Sequence, residues 1–317
     1  MEKIYITHTD LQVSGICMGT ADLGSVISQE DSFKLLNLFY EHGGTFLDTA
    51  ISYADWIANA ERSASEKTIG RWLKKHSLHN KIVVATKGGT FAPNTLRAQL
   101  SKEELDLQIE QSLRNLGLNT IDLYLLHRDD EKRPVEEIMD TLFSHVDKGN
   151  LRYVGCSNWT LRRIKLANEY AEKCGRLGFV AVSDRWSLAK YYPNTDPTML
   201  DMDIDKWNYC KDKEITAIPF KGLANGYLTY LATGVNVDKL KNAYGLKINL
   251  KIADGAKELA MDKNVSVTAI SIAYLRSQPF ATIPITAFST QEQLLEIMEG
   301  VDLGLSKSEL DYLNLLR

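Results

Sequence analysis

The 317-residue sequence contains no apolar run long enough to cross a membrane, which takes about 18 or more uninterrupted apolar residues. Its first ten residues, MEKIYITHTD, also lack the apolar core of a secretory signal peptide. Both absences argue against a membrane-spanning or secreted protein. We therefore expect a cytoplasmic protein that has no membrane partner.

Cysteine is scarce, and the four cysteines are too scattered to form a C-x-x-C pair. They are Cys17, Cys156, Cys174 and Cys210. This spacing is typical of reduced thiols in a reducing compartment rather than of a disulfide framework. The H-x-x-H pair of His76 and His79 has no evident third ligand, so we predict no metal site.

The sequence also lacks an excess of positive charge. Lys and Arg number 37 against 41 Asp and Glu, which gives a net charge of −4 at pH 7. A protein that binds nucleic acid by charge needs a basic surface, so nucleic acid is not an expected partner. The content of 44% hydrophobic and 25% charged residues is ordinary for a folded globular protein with a sizeable core.

Short segments rich in Val, Ile and Leu alternate with longer segments whose apolar residues recur every three or four positions. The short segments predict buried strands, and the long ones predict amphipathic helices. The eight predicted strands are residues 15–19, 45–50, 82–87, 121–127, 152–158, 179–184, 215–220 and 281–286. Capping-box sequences that predict helix starts lie at residues 63–66, 101–104 and 306–309.

Eight buried strands separated by helices predict a parallel sheet that is covered on both faces. In just over 300 residues this number favours an α/β fold of the (β/α)8 TIM-barrel type, with residues 1–317 as a single domain. The alternative is an open doubly wound sheet, but the sequence has no G-x-G-x-x-G turn. The first residues predict an N-terminal β-hairpin, and residues 248–262 and 266–278 predict extra helices toward the C-terminus.

Polar residues stand at the ends of three consecutive predicted strands. The second strand ends near Asp48 and Tyr53, the third ends in Lys87, and the fourth ends in His127. In a barrel these ends meet at one mouth, where catalytic residues assemble. Tyr53 is a predicted general acid, because an ammonium such as Lys87 lowers a phenol pKa and Asp48 can orient that lysine. With His127 polarising a carbonyl, the site suits hydride transfer to an aldehyde or ketone.

Further motifs run from about residue 13 to the end of the chain. They are VSGICMGT (13–20), FLDTAISY (46–53), SEKTIG (65–70), VVATKGG (83–89), LRNLGLNTIDLYLLHRDD (113–130), KGNLRYVGCSNW (148–159), WSL (186–188) and PITAFSTQEQL (284–294). Together with the four polar residues at their spacing, these motifs resemble the aldo-keto reductase superfamily. The resemblance implies a barrel that uses NADPH or NADH without a Rossmann fold and reduces a small-molecule carbonyl.

The resemblance also implies cofactor-binding residues, position by position. Residues near the nicotinamide ribose are Gly19, Thr20, Ala21 and Asp48. Residues at the carboxamide are Ser157, Asn158 and Ser183, of which Ser183 replaces the usual Gln and has a shorter reach. Trp186 matches an aromatic residue that stacks on the nicotinamide, with a core Trp beneath a loop as the less favoured alternative. Residues at the pyrophosphate are Lys221, Leu223, Asn225 and Gly226, where Lys221 could also be a solvated loop residue.

The segment that should hold the adenosine phosphate departs most from the family pattern. Its matching residues are Ser289, Thr290, Gln293 and Glu296. Ser289 stands where many members carry an Arg or Lys for the 2′-phosphate, and Ala287 and Ile297 replace the usual Gly and Asn. Arg is the residue that grips a phosphate with two hydrogen bonds. The family's habit favours NADPH, while the missing guanidinium leaves NADH open.

Loop residues after the strands should set the substrate specificity. The rim candidates are Asp22, Trp56, Arg128 and Trp159, together with Asp55 and Asp129. Indole rings and carboxylates around one mouth suit a polyhydroxylated ligand, so a sugar-like aldehyde or ketone is the substrate hypothesis. In a different interpretation of the rim, Arg128 and Asp129 pair with each other at the surface.

Two other functions remain open from the sequence alone. The chain could be a cofactor-sensing binding subunit that has little turnover. It could also be a lyase or aldolase in which Lys87 forms a Schiff base with the substrate. The intact set of four polar residues argues against the first, and an Asp48 that keeps Lys87 charged argues against the second.

Overall fold

The computed structural model describes residues 1–92, 95–192 and 198–315. Two short strands, β1 (Lys3–Tyr5) and β2 (Gln12–Ser14), pair in antiparallel fashion with Lys3 opposite Ser14. The remaining strands form one parallel sheet. They are β3 (Cys17–Gly19), β4 (Phe46–Asp48), β5 (Val83–Gly88), β6 (Ile121–Leu126), β7 (Leu151–Ser157), β8 (Ala181–Ser183), β9 (Thr216–Ala217) and β10 (Ile285–Thr286).

Helices follow the strands along the chain. They are α1 (Gln29–Glu41), α2 (Ala64–His76), α3 (Lys102–Leu116), α4 (Val135–Asp147), α5 (Leu161–Lys173), α6 (Ile204–Asp212), α7 (Tyr227–Thr233), α8 (Lys241–Tyr244), α9 (Lys247–Lys263), α10 (Val267–Arg276), α11 (Gln291–Asp302) and α12 (Lys307–Leu315). In the three described ranges, no helix combines the length and the apolar character that crossing a bilayer requires.

The parallel sheet closes on itself. Its strand order is β10-β3-β4-β5-β6-β7-β8-β9, and the two ends of this order meet where Ala217 pairs with Thr282. The backbone amide of Ala217 donates to the carbonyl of Ala281 (2.9 Å), and that of Ile283 donates to the carbonyl of Ala217 (2.8 Å). Each of the eight predicted strands overlaps one strand of this sheet. The predicted (β/α)8 barrel is therefore confirmed.

Alternation along the strands separates the inside of the barrel from the helical layer. Successive strand residues point to opposite faces, so Phe46 and Ala85 share one buried cluster with Leu123, Ala181 and Ile218. Leu47, one residue after Phe46, and Val84, one residue before Ala85, pack instead in a cluster with α1 and α2. Because every second residue faces inward, the residues that follow Phe46 and Ala85 by two positions face the barrel mouth.

The predicted additions to the barrel are present. The β1–β2 hairpin packs Ile6, Leu11 and Val13 against the cluster inside the barrel, which closes its amino-terminal end. Between β9 and β10 the chain forms α7 to α10, and α9 and α10 coincide with the helical segments predicted at 248–262 and 266–278. The hairpin thus lies at the end of the barrel opposite to the carboxyl ends of the strands.

Two of the three predicted capping boxes form. Ser101 and Glu104 cap α3 reciprocally, and Ser306 and Glu309 exchange the same pair of backbone contacts ahead of α12. The prediction at residues 63–66 is wrong. Glu66 is buried and accepts hydrogen bonds from Thr86 Oγ1 (2.6 Å) and Asn115 Nδ2 (2.8 Å), so its carboxylate ties α2 to the sheet and to α3.

Candidate active site

The four predicted polar residues meet at the carboxyl-terminal mouth of the barrel. Asp48 follows Phe46 by two positions, and Lys87 follows Ala85 by two, so both side chains face the barrel axis. His127 follows β6 directly, and its backbone amide donates to the carbonyl of Gly88 (2.7 Å). Tyr53 lies in the loop after β4. The structure therefore brings together all four members of the predicted set.

Lys87 is the centre of this set. Its Nζ atom donates hydrogen bonds to Asp48 Oδ1 (2.5 Å), to the Tyr53 hydroxyl oxygen (3.0 Å) and to the backbone carbonyl of Thr49 (3.0 Å). The Tyr53 hydroxyl in turn donates to Asp48 Oδ2 (3.3 Å). An ammonium has three protons to donate, and here each has an oxygen partner. The arrangement fixes the Tyr53 hydroxyl beside a positive charge.

The pKa values in this cluster are shifted by burial and by the neighbouring charges. Burial and the Asp48 carboxylate raise the pKa of Tyr53 to about 12, although Lys87 opposes them. Burial would lower the pKa of Lys87, but Asp48 and Tyr53 outweigh it and raise that pKa above its usual value. The expected lowering effect of Lys87 on Tyr53 is thus present but is not the larger one. At neutral pH the lysine is charged and the phenol keeps its proton.

His127 lies beside Tyr53, with ring centroids 6.0 Å apart in an edge-to-face arrangement. Its Nδ1 atom has no hydrogen-bond partner among the described residues. Burial and the positive charges of Lys87 and Arg128 lower the pKa of His127 well below its usual value. The imidazole is therefore neutral near pH 7 and can donate one hydrogen bond to a substrate oxygen.

Two serine hydroxyls lie side by side on the next two strands. Ser157 ends β7 and pairs in register with Ser183, which ends β8. Both share the inward-facing alternation of Ala181. Within the described ranges the Ser183 hydroxyl is buried without any hydrogen-bond partner, although buried polar atoms normally have one. This orphan hydroxyl fits the predicted contact with a polar amide group of a ligand.

Asn158 uses its side chain for contacts within the protein. Its Nδ2 atom donates to Ser157 Oγ (2.9 Å) and to the carbonyl of His127 (3.2 Å), and its Oδ1 atom accepts from the backbone amide of Leu200 (3.0 Å). The predicted direct grip of Asn158 on a ligand thus competes with these bonds. The residue instead links the ends of β6 and β7 to the loop that precedes α6.

The loop after β3 presents backbone rather than side chains. A Cβ atom on Gly19 would come within 2.9 Å of Ile285 Cγ2. The Thr20 hydroxyl is buried and donates to the carbonyl of Asp48 (2.7 Å), and its backbone amide donates to the same oxygen (3.1 Å). Ala21 is only partly buried. Backbone is what the sequence predicts at this position.

Trp186 and Phe220 pack in different clusters of the barrel. Trp186 lies one position off the inward-facing alternation and packs in the helical layer, with its ring 6.4 Å from each of the rings of Tyr274 and Phe280. These contacts are those of the core residue that the sequence left open. Phe220 is partly buried against the cluster inside the barrel, next to Ile218. The sequence analysis missed Phe220, although the inward alternation of Thr216, Ile218 and Phe220 could have found it.

The loop after β9 has an unusual backbone. Lys221, Ala224, Asn225 and Gly226 all have positive φ angles, of 59°, 50°, 55° and 80°. Successive backbone amides in such conformations form concave anion-binding nests. Lys221 is exposed and donates to Asn225 Oδ1 (3.2 Å), so its charge lies over this loop. Leu223 is partly buried against the apolar cluster that includes residues of α1, α2 and α11.

The predicted adenosine-binding residues surround the start of α11. Thr290 caps this helix by accepting from the backbone amide of Gln293 (3.3 Å), and Gln293 Oε1 accepts from the amide of Ser289 (2.7 Å). Ser289 and Thr290 are exposed, and Glu296 is half-buried one turn further on. Of the two residues that depart from the family pattern here, Ile297 is buried and Ala287 is exposed. The helix start therefore offers hydroxyls but no cation of its own.

The predicted rim residues divide into available and engaged groups. Trp56 is 59% exposed, and its ring is 5.9 Å from that of Tyr53. Arg128 lies over the ring of Phe91 at 5.5 Å and donates to the carbonyl of His127 (2.8 Å). Asp22 is exposed on the loop after β3. Phe91 is a further residue at this rim that the sequence analysis missed.

Three other rim candidates have partners within the protein. Trp159 is 0% exposed and packs edge-to-face on Phe179 at 5.2 Å, so it belongs to the core. Asp129 does not pair with Arg128, because both of its oxygens accept from Arg163 (2.9 Å each). Asp55 accepts from the backbone amide of Ser63 (2.9 Å) and from the side chain of the nearby Arg62 (3.1 Å). Few carboxylates are thus left to face a ligand.

Comparisons with known proteins identify the family of this chain. The chain is 28% identical to an aryl-alcohol dehydrogenase of Phanerodontia chrysosporium whose name specifies NADP⁺, over 96% of this chain and 82% of that protein. It is 25% identical to norsolorinic acid reductase B of Dothistroma septosporum, over 95% and 77% of the two chains. A solved thermostable aldo-keto reductase, crystallised with the inhibitor epalrestat, superposes with a TM-score of 0.77 at 20% identity and covers 100% of both chains.

The profile of the Aldo/keto reductase family matches residues 15–316, nearly the whole chain. Members of this family use nicotinamide cofactors. With its closed barrel and its four polar residues at the mouth, the chain belongs to the aldo/keto reductase family of oxidoreductases.

Proposed function

We propose that this enzyme reduces an aromatic aldehyde or ketone to the alcohol with NADPH, and that Tyr53 is the general acid. The observation that carries the proposal is the contact of Lys87 Nζ with the Tyr53 hydroxyl (3.0 Å), supported by the bond from Lys87 to Asp48. A protonated phenol beside a fixed ammonium is a proton donor whose conjugate base is already stabilised.

In this proposal the protein's own residues carry out the proton transfer to the carbonyl oxygen. The bound dihydronicotinamide would supply a hydride to the carbonyl carbon. Tyr53 gives its hydroxyl proton to the carbonyl oxygen, and Lys87 stabilises the phenolate that is left. His127, neutral at pH 7, donates a hydrogen bond to the same oxygen and holds it within reach of Tyr53. Asp48 keeps the lysine in place.

The residues present fit a nicotinamide cofactor. The orphan hydroxyl of Ser183 and the adjacent Ser157 hydroxyl can bond a carboxamide. Phe220, which follows β9 and continues its inward-facing alternation, offers a flat face for the nicotinamide ring, a role that we assign to it rather than to Trp186. Backbone near Gly19 would lie at the ribose. The pyrophosphate would lie on the loop after β9, beside Lys221.

The choice between NADPH and NADH depends on the start of α11. A helix N-terminus attracts a phosphate through its free amides, and the hydroxyls of Ser289 and Thr290 add donors there. The similarity to the aryl-alcohol dehydrogenase named for NADP⁺ also favours NADPH. The carboxylate of Glu296, one helical turn further on, would repel a 2′-phosphate and so reduce the preference for NADPH over NADH.

An aromatic substrate fits the rim better than a sugar does. The available rim groups are the ring of Trp56, which lies beside Tyr53, and the ring of Phe91, which lies beside Arg128, whereas Asp55 and Asp129 are bound to arginines. Flat apolar surfaces stack on aromatic rings, and sugars need free hydrogen-bonding groups as well. The names of the similar aryl-alcohol dehydrogenase and norsolorinic acid reductase support the same substrate class.

The alternatives left open by the sequence find less support. A Schiff base at Lys87 requires an uncharged amine, and Asp48 raises the pKa of this lysine instead. A cofactor-sensing subunit without turnover has no need for a proton donor aligned with an ammonium and a carboxylate. The geometry of Tyr53 and its partners therefore favours an enzyme.

A turnover panel tests the proposed function. Purified enzyme is assayed with substituted benzaldehydes, aryl ketones and aldoses, each with NADPH and with NADH. We expect the highest kcat/KM for a benzaldehyde with NADPH. Faster reduction of aldoses would contradict the substrate class, and tight NADPH binding without turnover on any carbonyl would support the cofactor-sensing alternative.

A further inference from the structure

A buried ion pair lies behind the mouth of the barrel, apart from the Lys87 cluster. Lys206 Nζ, on α6, donates to Asp184 Oδ2, at the residue that follows β8. Asp184 is 0% exposed and Lys206 is 2% exposed. Removing two charges from water costs free energy that their attraction often does not return, so such a pair is weak evidence for a role in stability. The contacts of the second Asp184 oxygen indicate a different role for this pair.

The other oxygen of Asp184 controls the backbone of Asn158. Asp184 Oδ1 accepts a hydrogen bond from the Asn158 backbone amide (2.8 Å). Asn158 has a φ of 60°, in the left-handed region, which costs free energy for residues other than glycine, although Asn tolerates it better than most. This conformation turns the chain sharply just after Ser157. The carboxylate therefore bonds the amide of the strained residue itself.

The strained turn at Asn158 connects Ser157, proposed to bond the nicotinamide carboxamide, with His127. The Asn158 side chain donates to Ser157 Oγ and to the carbonyl of His127, the residue proposed to bond the substrate oxygen. A change in the Asn158 backbone would move both contacts. The turn thus couples the carboxamide-binding hydroxyl of β7 to the end of β6.

The segment before α6 holds the turn from its other side. The Leu200 amide donates to Asn158 Oδ1 (3.0 Å), and Asp203 Oδ1 accepts from the Lys206 backbone amide (2.8 Å) to cap α6. The cap fixes the start of the helix that carries Lys206. One segment, residues 200–206, thereby contacts the Asn158 side chain directly and its backbone through Asp184.

We propose that Asp184 is a positioning residue that locks Asn158 in its left-handed conformation and so preorganises the Ser157 end of the cofactor site. Asp184 supplies the acceptor for the Asn158 amide, and Lys206 balances the negative charge of the buried carboxylate. This inference rests on the proposed use of NADPH. Neither residue touches the reacting atoms, so the effect falls on cofactor affinity more than on the proton-transfer step.

Two matched double variants separate positioning from charge. D184N/K206M removes both charges but keeps an Oδ1 acceptor for the Asn158 amide, whereas D184A/K206M removes the acceptor as well. If the turn is locked in only about a tenth of the molecules, the apparent Kd rises about tenfold. We expect the Kd for NADPH, measured by fluorescence titration, to rise about tenfold in D184A/K206M and to stay within about twofold in D184N/K206M.

Further readouts distinguish positioning from a structural role. We expect kcat at saturating NADPH to change less than Kd in D184A/K206M. Equal Kd values in the two variants, even with a lowered Tm in both, would overturn the proposal. A wild-type protein that fails to bind NADPH would instead overturn the proposed function.

Hydrogen exchange keeps the proposal testable if D184A/K206M does not fold. In the wild-type protein without cofactor, the Asn158 amide should exchange slowly, and it should remain slow in D184N/K206M. Fast exchange of this amide in the wild-type protein would contradict a locked turn.

Discussion

Lys87 Nζ lies 2.5 Å from Asp48 Oδ1 and 3.0 Å from the Tyr53 hydroxyl oxygen, so a single ammonium holds both the carboxylate and the proposed proton donor. Both side chains of the ion pair are only 3% exposed. Partners buried this deeply depend on each other for stability as well as for chemistry.

Replacing Lys87 tests this mutual dependence. Lys87→Met leaves the Asp48 carboxylate buried without its cation, which costs roughly 3–5 kcal/mol of unfolding free energy. The double variant D48N/K87M removes both charges and should recover much of that loss. Urea unfolding measures both. We expect both variants to lose carbonyl reduction, because both lack the ammonium that stabilises the Tyr53 phenolate. Equal stability of the single and double variants would contradict the account.

The high pKa of Tyr53 predicts a specific pH dependence. Burial and Asp48 raise the pKa of Tyr53 to about 12, against about 10 for an exposed phenol. The folded state thus favours the protonated phenol. Its contribution to stability is complete below about pH 10 and is lost as the pH rises toward 12.

Ultraviolet titration of the cofactor-free protein checks this shift. The difference in tyrosinate absorbance between the wild type and Tyr53→Phe should be near zero below about pH 10. Alcohol oxidation, which needs the phenolate, should speed up as the pH rises. A tyrosinate signal from Tyr53 at neutral pH would contradict the expected shift.

An arginine at position 289 should change the preference for the cofactor. Ser289 is exposed at the start of α11, where a guanidinium could grip a 2′-phosphate with two hydrogen bonds. We expect Ser289→Arg to tighten NADPH about tenfold and to leave NADH nearly unchanged, since charge-assisted bonds contribute about 1.5–3 kcal/mol. Ser289→Met is the control for added bulk. Kd values for both cofactors measure the effect, and equal tightening of NADH would refute it.

Phe220 and Trp186 should respond differently to mutation. Phe220→Ala removes the proposed stacking surface and should weaken NADPH about tenfold, because stacked aromatic pairs contribute about 0.5–1.5 kcal/mol beyond the area that they bury. Trp186→Phe should leave the Kd unchanged and lower the unfolding free energy, because Trp186 packs on Tyr274 and Phe280. Fluorescence titration and urea unfolding separate the two effects. The reverse pattern would return the stacking role to Trp186.

Features set by local pattern could be predicted from the sequence. Strands buried on both faces are continuous apolar runs, so all eight barrel strands were recognisable, and the strand ends placed Asp48, Lys87 and His127 at one mouth. The capping box at Ser101 also depends only on neighbours in sequence.

Features set by distant partners could not be predicted. Glu66 has the capping-box spacing, but its carboxylate bonds Thr86 and Asn115 instead. Trp159 follows a strand as a rim residue would, yet it packs on Phe179. Asp184 and Lys206 carry no local signal, since only the packing of α6 against the barrel brings them together. In each case tertiary contacts decide where the side chain goes.

The most direct test of the central claim is Tyr53→Phe, compared with the wild type for NADPH binding and for reduction of a benzaldehyde. The variant keeps the aromatic ring but loses the hydroxyl that donates the proton, so we expect its Kd for NADPH to stay within about twofold of the wild-type value. The kcat should fall by about 10²–10⁴, the usual contribution of a general acid. A Tyr53→Phe variant that reduces the aldehyde at close to the wild-type rate would contradict the account.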